Sequence, residues 1–326
     1  NAETDIMVIG GGVVGLSVAY GLLLRGQRVM VLDEGDEAFR ASRGNFGLIW
    51  VQGKGLKNSA YARWTRKSAA AWKGFCDTLE SQTGETLARV QDGGYVIHMD
   101  EAELDAERKQ YERLRAELGG DYPFEVMGRN ALLSEEPKMG PDVVGALYCR
   151  EDGHVNPLRL LRALAAAVRQ MGGQVRPNNA VVSVTASDTG FRATTKTGDT
   201  VVAAKVVVAA GLGAKDLGAQ LGFLAPIRPQ HGQVLTTEKM PKLMNRPNVD
   251  VRQVNEGGVQ IGASKDEVGF DDSETVKTVS KLAQNAVRMF PDLARAKLVR
   301  SWAALRIMSP DGLPIYQKSA SQPGAY

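Results

Sequence analysis

Three glycines, Gly10, Gly12 and Gly15, stand in a GxGxxG spacing between two apolar runs, and no other feature restricts the fold as strongly. Residues 5–10, with Ile6-Met7-Val8-Ile9 at their centre, read as a short buried strand. Residues 13–25 read as a helix with Val14, Leu16, Ala19, Leu22 and Leu23 on an apolar side, closed by Gly26. Residues 28–32 form a second strand. The whole is a strand–helix–strand unit of about 30 residues, the size of a parallel crossover.

Alone, three spaced glycines mean little; directly after a strand and opening a helix they have a physical reading. Gly10 permits the tight turn, Gly12 lets a pyrophosphate approach the backbone, and Gly15 lets helix and sheet close together. The diphosphate is expected at the helix N-terminus, beside Val13 and Val14, where free N–H groups and the helix dipole favour negative charge. Asp33, followed by Glu34, closes the second strand, about 20 residues beyond the glycines, where a carboxylate accepts hydrogen bonds from an adenosine ribose. An acid there disfavours a ribose 2′-phosphate, since two anions would meet.

NAD and FAD share the adenosine diphosphate, so these residues leave the choice open. A nicotinamide dehydrogenase usually continues with further βαβ units. Here the chain departs into a loop over 36–55 and helices over 58–81 and 101–118, the latter heavily charged. It returns with a helix over 156–171, strands over 181–184 and 191–195, and an apolar strand over 201–210 that ends at Gly211. A long insertion between nucleotide-binding pieces is typical of flavin folds, an argument by analogy of fold. Residues 227–264 suggest an antiparallel sheet.

The remaining composition excludes more than it proposes. With 326 residues, two domains or one with a large insertion are expected. A net charge of +3, without a basic run, gives no reason to expect nucleic acid. Cys76 and Cys149 have no metal-type spacing, which fits a reducing compartment. No run reaches the roughly 20 apolar residues of a membrane span. A cytoplasmic protein is expected, with peripheral contact at the inner membrane left open. The chain begins at Asn1 rather than Met, so its start is expected to be missing. His98, His154 and His231 form no Ser-His-Asp or metal constellation. His154 is expected in a turn, His98 without a partner, and His231 in a structural role. Trp64, Trp72 and Trp302 are expected in the core.

Residues 5–15, Asp33, the loop 41–47, residues 145–148 and 152–157, the strand 206–213, and Leu305-Arg306 with residues 310–314 together resemble the D-amino-acid oxidase and glycine oxidase family. The likeness runs through nearly the whole chain in the family's order. Residues 46–53 look most like the flavin subunits of opine oxidase, hydrogen cyanide synthase and D-hydroxyproline dehydrogenase complexes.

The resemblance implies an α/β (α+β) fold: a Rossmann-type FAD-binding domain of the glutathione-reductase kind with an inserted antiparallel-sheet substrate domain. The FAD domain is expected over 1–82, 152–222 and 303–326, and the substrate domain over 83–151 and 223–302. Ser42, Arg43, Asn45, Phe46, Gly47 and Leu48 should run beside the pyrophosphate and flavin ring, Val181 should meet the adenine, and Ala210 and Gly211 should line the cofactor. Arg306 matches the family's carboxylate-binding arginine; Arg252 is a second candidate, with a solvent-facing strand arginine as its alternative. The implied reaction moves a hydride from an amine-bearing carbon to flavin N5 and leaves an imine that hydrolyses. Its substrate would be an amino acid or opine, and its electron acceptor a partner subunit or quinone. A free-standing glycine- or sarcosine-type oxidase making peroxide, a silent FAD-fold subunit, and a nicotinamide dehydrogenase are the alternatives. Members of the family continue beyond the Pro-Asp-Gly motif, returning a glycine-rich loop to the flavin; the chain stops at Tyr326, so that segment is expected to be missing.

Overall fold

Strand β1 (Ala2–Ile9) sits between two parallel neighbours, β2 (Val29–Leu32) and β11 (Thr200–Val208), so its apolar run is covered on both sides. The computed structural model describes residues 2–35, 41–262 and 264–326. Six strands form the sheet in the order β8-β2-β1-β11-β10-β9, with β8 (Gln174–Arg176) parallel to β2. β9 (Val181–Ser187) and β10 (Gly190–Thr195) add an antiparallel edge.

The alternation of side chains sorts the core into two layers. Val8, Val29 and Val31 face α1 (Val13–Leu23) and α5 (Pro157–Gln170), packing with Leu16, Ala19, Leu160, Ala163 and Leu164. Met7, Ile9, Met30 and Leu32 face the other way, against Val184, Phe191, Leu217 and Leu221, beside α6 (Ala214–Ala219). Each such side chain contributes about 1.5–3 kcal/mol on burial.

Two antiparallel sheets carry the rest. One has the order β4-β6-β5, from β4 (Gly94–His98), β5 (Glu125–Gly128) and β6 (Gly145–Cys149). The other has the order β13-β14-β12-β15, from β12 (Arg228–Lys239), β13 (Val251–Gln253), β14 (Gly258–Ile261) and β15 (Leu298–Met308). A shared core of Tyr95, Ile97, Ala146, Leu235, Val251 and Phe290 joins them, closed by α4 (Arg129–Glu135) and α7 (Val276–Met289). Helices α2 (Ser59–Thr83) and α3 (Glu101–Glu117) pack onto the first core through Ala69, Cys76, Leu79, Tyr111 and Leu114. A two-residue strand, β3 (Leu48–Ile49), pairs with β7 (Gly153–His154).

The structure corrects four expectations. The helix after the glycines stops at Leu23, and Gly26 adopts φ +74 in the turn beyond it. Val14, placed on that helix's apolar side, is 51% exposed, because its side points into a cleft rather than the core. Trp64 is also 51% exposed, packed at a tilt against Tyr316, whereas Trp302 is buried and donates to the Gly44 carbonyl at 3.2 Å. The loop over 36–55 contains β3, with residues 36–40 outside the described chain.

Asp152, fully buried behind β3, accepts from Val51 N at 2.5 Å and Gln52 Nε2 at 2.8 Å. Burial pushes its carboxyl up to about 7, against the opposing pull of those hydrogen bonds. A raised acid pKa means the folded state holds the proton more tightly than the unfolded one. The associated stability is full below the unfolded value near 4 and is lost as pH rises through about 7. Asp250 shifts the same way but only to about 6, and His154, lowered to about 4, acts in the opposite sense, with most of its contribution complete by the unfolded value of about 6.5. Melting temperature should therefore fall between pH 6.5 and 8 in the wild type and fall less in Asp152→Asn. Parallel pH profiles would contradict this account.

Candidate functional site

The turn after β1 is built so that only glycine fits. Gly10 has φ +109, and a Cβ there would lie 2.3 Å from the Ala209 carbonyl oxygen. A Cβ on Gly15 would lie 1.9 Å from the Gly10 oxygen, so helix and strand touch backbone to backbone. Gly12 caps the helix without a side chain; Val13 N donates instead to Ser42 Oγ at 3.0 Å. Thus the loop bearing Ser42 is tied to the first turn of α1.

Asp33 Oδ2 accepts from Gly11 N at 2.7 Å and Oδ1 from Gly35 N at 3.0 Å. Its carboxylate is fixed at the lip of the turn with lone pairs to spare. From here a cavity of about 1440 Å³ runs across the C-terminal ends of β1, β2 and β11. Gly10, Gly12, Val14, Asp33, Glu34, Ser42, Arg43, Val181, Ala210 and Gly211 all line it. The space exceeds the roughly 300–1,000 Å³ of an ordinary small-molecule pocket, as a dinucleotide requires. The cradle formed by Gly11 and Gly12 would be filled by any Cβ, since one at Gly12 meets Ser42 Oγ at 2.9 Å. These residues fit FAD.

Val13, Gly15, Asn45, Phe46, Gly47, Leu48, Arg252 and Arg306 stand outside the lining of this cavity. Val13 and Gly15 serve the turn. Asn45 Oδ1 accepts from Gly47 N at 2.6 Å, Gly47 takes φ +88, and Leu48 pairs with His154, so the loop enters β3 at a fixed angle. The Phe46 ring lies against Gly262, where a Cβ would be 3.3 Å away.

Arg306 lies on β15 between Leu305 and Ile307, which do line the cavity. Its guanidinium folds over Gly232, whose Cβ would lie 2.7 Å from Nη1. Nη1 donates to the Ser264 carbonyl at 2.8 Å and the His231 carbonyl at 3.3 Å. Burial lowers its pKa, opposed by the charge of Asp266, yet an arginine remains a cation. No carboxylate forms an ion pair with it among the described residues.

Arg252 departs from the solvent-facing alternative: it is 2% exposed. Nε donates to Gln260 Oε1 at 2.8 Å, while Nη1 meets His154 Nδ1 at 2.9 Å and the Val155 carbonyl at 3.2 Å. His154 is therefore a buried strand residue, not part of a turn. Burial first, and the Arg252 charge second, hold its imidazole down to about 4. His98 also has a partner, Glu107 at 3.1 Å. His231 Nε2 meets the Ser273 carbonyl at 3.0 Å.

The roles of Gly232 and Gly262 had no counterpart in the expectations from sequence. An isolated glycine within a strand signals close approach of another group, and Gly232 inside β12 carried that signal. Cys76 and Cys149 are buried and unbridged, no metal-binding cluster exists among the described residues, and no helix there is long and apolar enough to cross a membrane.

A doubly covered sheet with a glycine turn, an acid just beyond β2 and an inserted antiparallel sheet defines a flavin-type dinucleotide fold. The chain belongs to the DAO family of FAD-dependent oxidoreductases, whose model matches residues 5–326. It is 40% identical to an opine oxidase subunit of Agrobacterium tumefaciens (strain Ach5), over 99% of this chain and 87% of that protein. It is 30% identical to the HcnC protein of hydrogen cyanide synthase from Pseudomonas protegens, over 95% and 84% of the two chains. Among solved structures, glycine oxidase from Geobacillus kaustophilus superposes with a TM-score of 0.91 at 24% identity, covering 100% of this chain and 88% of that one.

Proposed function

We propose that the protein oxidises a C–N bond of an amino acid or opine-like secondary amine, holding the substrate carboxylate at Arg306. The observation that carries this reading is a half-buried guanidinium, without an acid partner among the described residues, on the strand whose Leu305 and Ile307 line the dinucleotide cavity. A fork of N–H donors matches a carboxylate in two directions at once, which fixes orientation as well as position.

FAD, when bound, would supply the hydride acceptor. The chain's own part is then to aim the C–H bond, and positioning of this kind supplies much of the rate. The glycine turn, Asp33, Glu34, Ser42, Arg43 and Val181 would hold the adenosine diphosphate, with Asn45 to Leu48, Ala210 and Gly211 nearer the ring. Segments 1–82, 152–222 and 303–326 would form the cofactor domain, and 83–151 with 223–302 the substrate domain. A desolvated pocket would favour the neutral amine that hydride loss requires. The imine product hydrolyses in water.

Similarity to subunits of opine oxidase and of hydrogen cyanide synthase supports a place in a complex. In this reading the complex is cytoplasmic or membrane-peripheral, and electrons leave to a partner subunit or quinone. The flavin-loaded protein should lose its visible absorbance anaerobically with at least one amino acid or opine. Bleaching by none of a broad panel would overturn the reading; peroxide formation by the isolated chain would replace the partner acceptor with oxygen.

A further inference from the structure

Burial raises the pKa of three carboxyl groups among the described residues: Glu136, Asp152 and Asp250. Two of them hold backbone. Glu136 accepts from Asn245 N at 2.8 Å and Arg246 N at 3.0 Å, and Asp152 accepts from Val51 N and Gln52 Nε2. Asp250 does neither. Its backbone is fixed without its own side chain: N donates to Asn248 Oδ1 at 2.9 Å, and the carbonyl accepts from Gly262 N at 2.8 Å. Its carboxylate accepts no hydrogen bond and joins no ion pair among the described residues. A desolvated acid without a partner is costly to keep ionised, which calls for a ligand that offsets the cost.

Pairing shows where this carboxylate faces. The register of Val251 with Ile261 continues through the Gly262–Asp250 hydrogen bond, so Asp250 stands opposite Gly262. Side chains alternate along a strand, which turns Val251 into the apolar core and Asp250 to the other face. On that face a Cβ on Gly262 would lie 3.2 Å from the Val234 side chain and 3.3 Å from the Phe46 ring. Two residues along β12, Gly232 lies under the Arg306 guanidinium. Two glycines and a valine thus floor a shallow trough, with Arg306 toward one end and Asp250 toward the other. Two strand spacings, about 10 Å, separate Asp250 from Val234.

The charges that act on Asp250 come from two other elements. Burial is the larger effect and raises its carboxyl to about 6, while Lys265, just past β14, and His98, at the end of β4, favour the carboxylate. Lys265 acts also on Lys54 and on Glu107, and Glu107 pairs with His98 at 3.1 Å. Arg252, two residues along from Asp250, is directed instead to Gln260 and His154.

We propose that Asp250 takes the proton from the substrate's ammonium group, so that the cationic amine can bind and react. With the substrate carboxylate at Arg306, the neighbouring nitrogen lies along the trough toward Asp250. One N–H bond breaks and one O–H bond forms. The electron pair left on nitrogen becomes the C=N bond as the C–H hydride leaves, and Asp250 returns its proton to water before the next turnover. This rests on the amine oxidation and the Arg306 anchor proposed above.

The first readout is the pH profile of kcat/KM for an amine substrate. A proton acceptor must be ionised, so wild-type activity should rise through pH about 6 and then level off. In Asp250→Asn only the neutral amine reacts, so activity should keep rising to the amine's own pKa in water. The loss should be about 100-fold or more at pH about 7 and should narrow as that value is approached. Lys265→Met removes a charge that favours the carboxylate, so the rise should move to higher pH. The second readout is equilibrium binding to the flavin-loaded protein, followed by flavin absorbance without turnover. A thioether monocarboxylate, which brings only negative charge, should bind more tightly as pH falls through about 6. A betaine, with a trimethylammonium beside its carboxylate, should bind more weakly over the same range. Both profiles should flatten in Asp250→Asn. A plateau that survives in Asp250→Asn overturns the proposal and leaves the amine oxidation standing. So do two probes that follow the same pH trend in the wild type. Opposite trends in a protein bleached by no amine would keep Asp250 as the group that meets the ammonium and reject the reaction instead.

Discussion

Gly15→Val is expected to yield a protein that purifies without flavin and melts at least about 10 °C below the wild type. A Cβ at this position would lie 1.9 Å from the Gly10 carbonyl oxygen and 3.4 Å from Ala209 Cβ. The first contact is with backbone, which cannot rotate away. To relieve it, α1 must lift from β1, and the turn presented to a pyrophosphate would open with it. Overpacking of this sort costs about 1–3 kcal/mol. Loss of a cofactor present at a thousandfold its dissociation constant removes about 4 kcal/mol more. At about 2–4 °C per kcal/mol for a chain of this size class, the sum gives the expected shift. The ratio of flavin to protein absorbance and a thermal melt would measure it. Gly21→Ala is the control: it lies on the same helix, and a Cβ there meets only Arg25 Nη1, at 3.8 Å. Wild-type flavin content in Gly15→Val would show that the helix tolerates the displacement.

The turn that this prediction tests was readable from sequence because every part of it is local. Strand, glycines, helix and Asp33 lie within one crossover, and hydrophobic period and glycine spacing both report on them. The antiparallel character of residues 227–264 was readable from the succession of short strands in that region. What could not be read was facing. Val14 belongs to the apolar stripe of α1 by period, yet a ligand cleft takes the place of core at that point. Arg252 looked as much like a solvated strand residue as a buried one. Its facing is set by pairing with Gln260 on β14 and by His154 nearly a hundred residues earlier, contacts that no local pattern encodes. His154 itself precedes a helix, which suggested a turn, but Leu48 draws it into a two-residue ladder. Arg306 was identified through resemblance to a family; the glycine beneath its guanidinium explains physically why that strand can carry it.

Arg306→Met should lower kcat/KM by about 30-fold to several thousand-fold for a carboxylate-bearing amine, with flavin content unchanged. Truncating one member of a buried, hydrogen-bonded charge pair costs about 2–5 kcal/mol, which sets this range. Both kinetic constants should move. KM rises because the carboxylate loses its partner, and kcat falls because the C–H bond is no longer aimed, a loss that binding alone does not cover. Flavin should stay because Arg306 does not line the dinucleotide cavity. Some loss of packing is expected in any case, since Nη1 also ties the Ser264 and His231 carbonyls to β15. Two comparisons separate that from a direct role. Arg306→Lys keeps a cation but not the planar fork, so it should recover part of KM and little of kcat. An amine of the same skeleton lacking the carboxylate should be a poor substrate for wild type and variant alike, with a ratio near one. If the variant lost activity equally on both amines, Arg306 would be a structural strut of the sheet, and the carboxylate would have to be sought at Arg252.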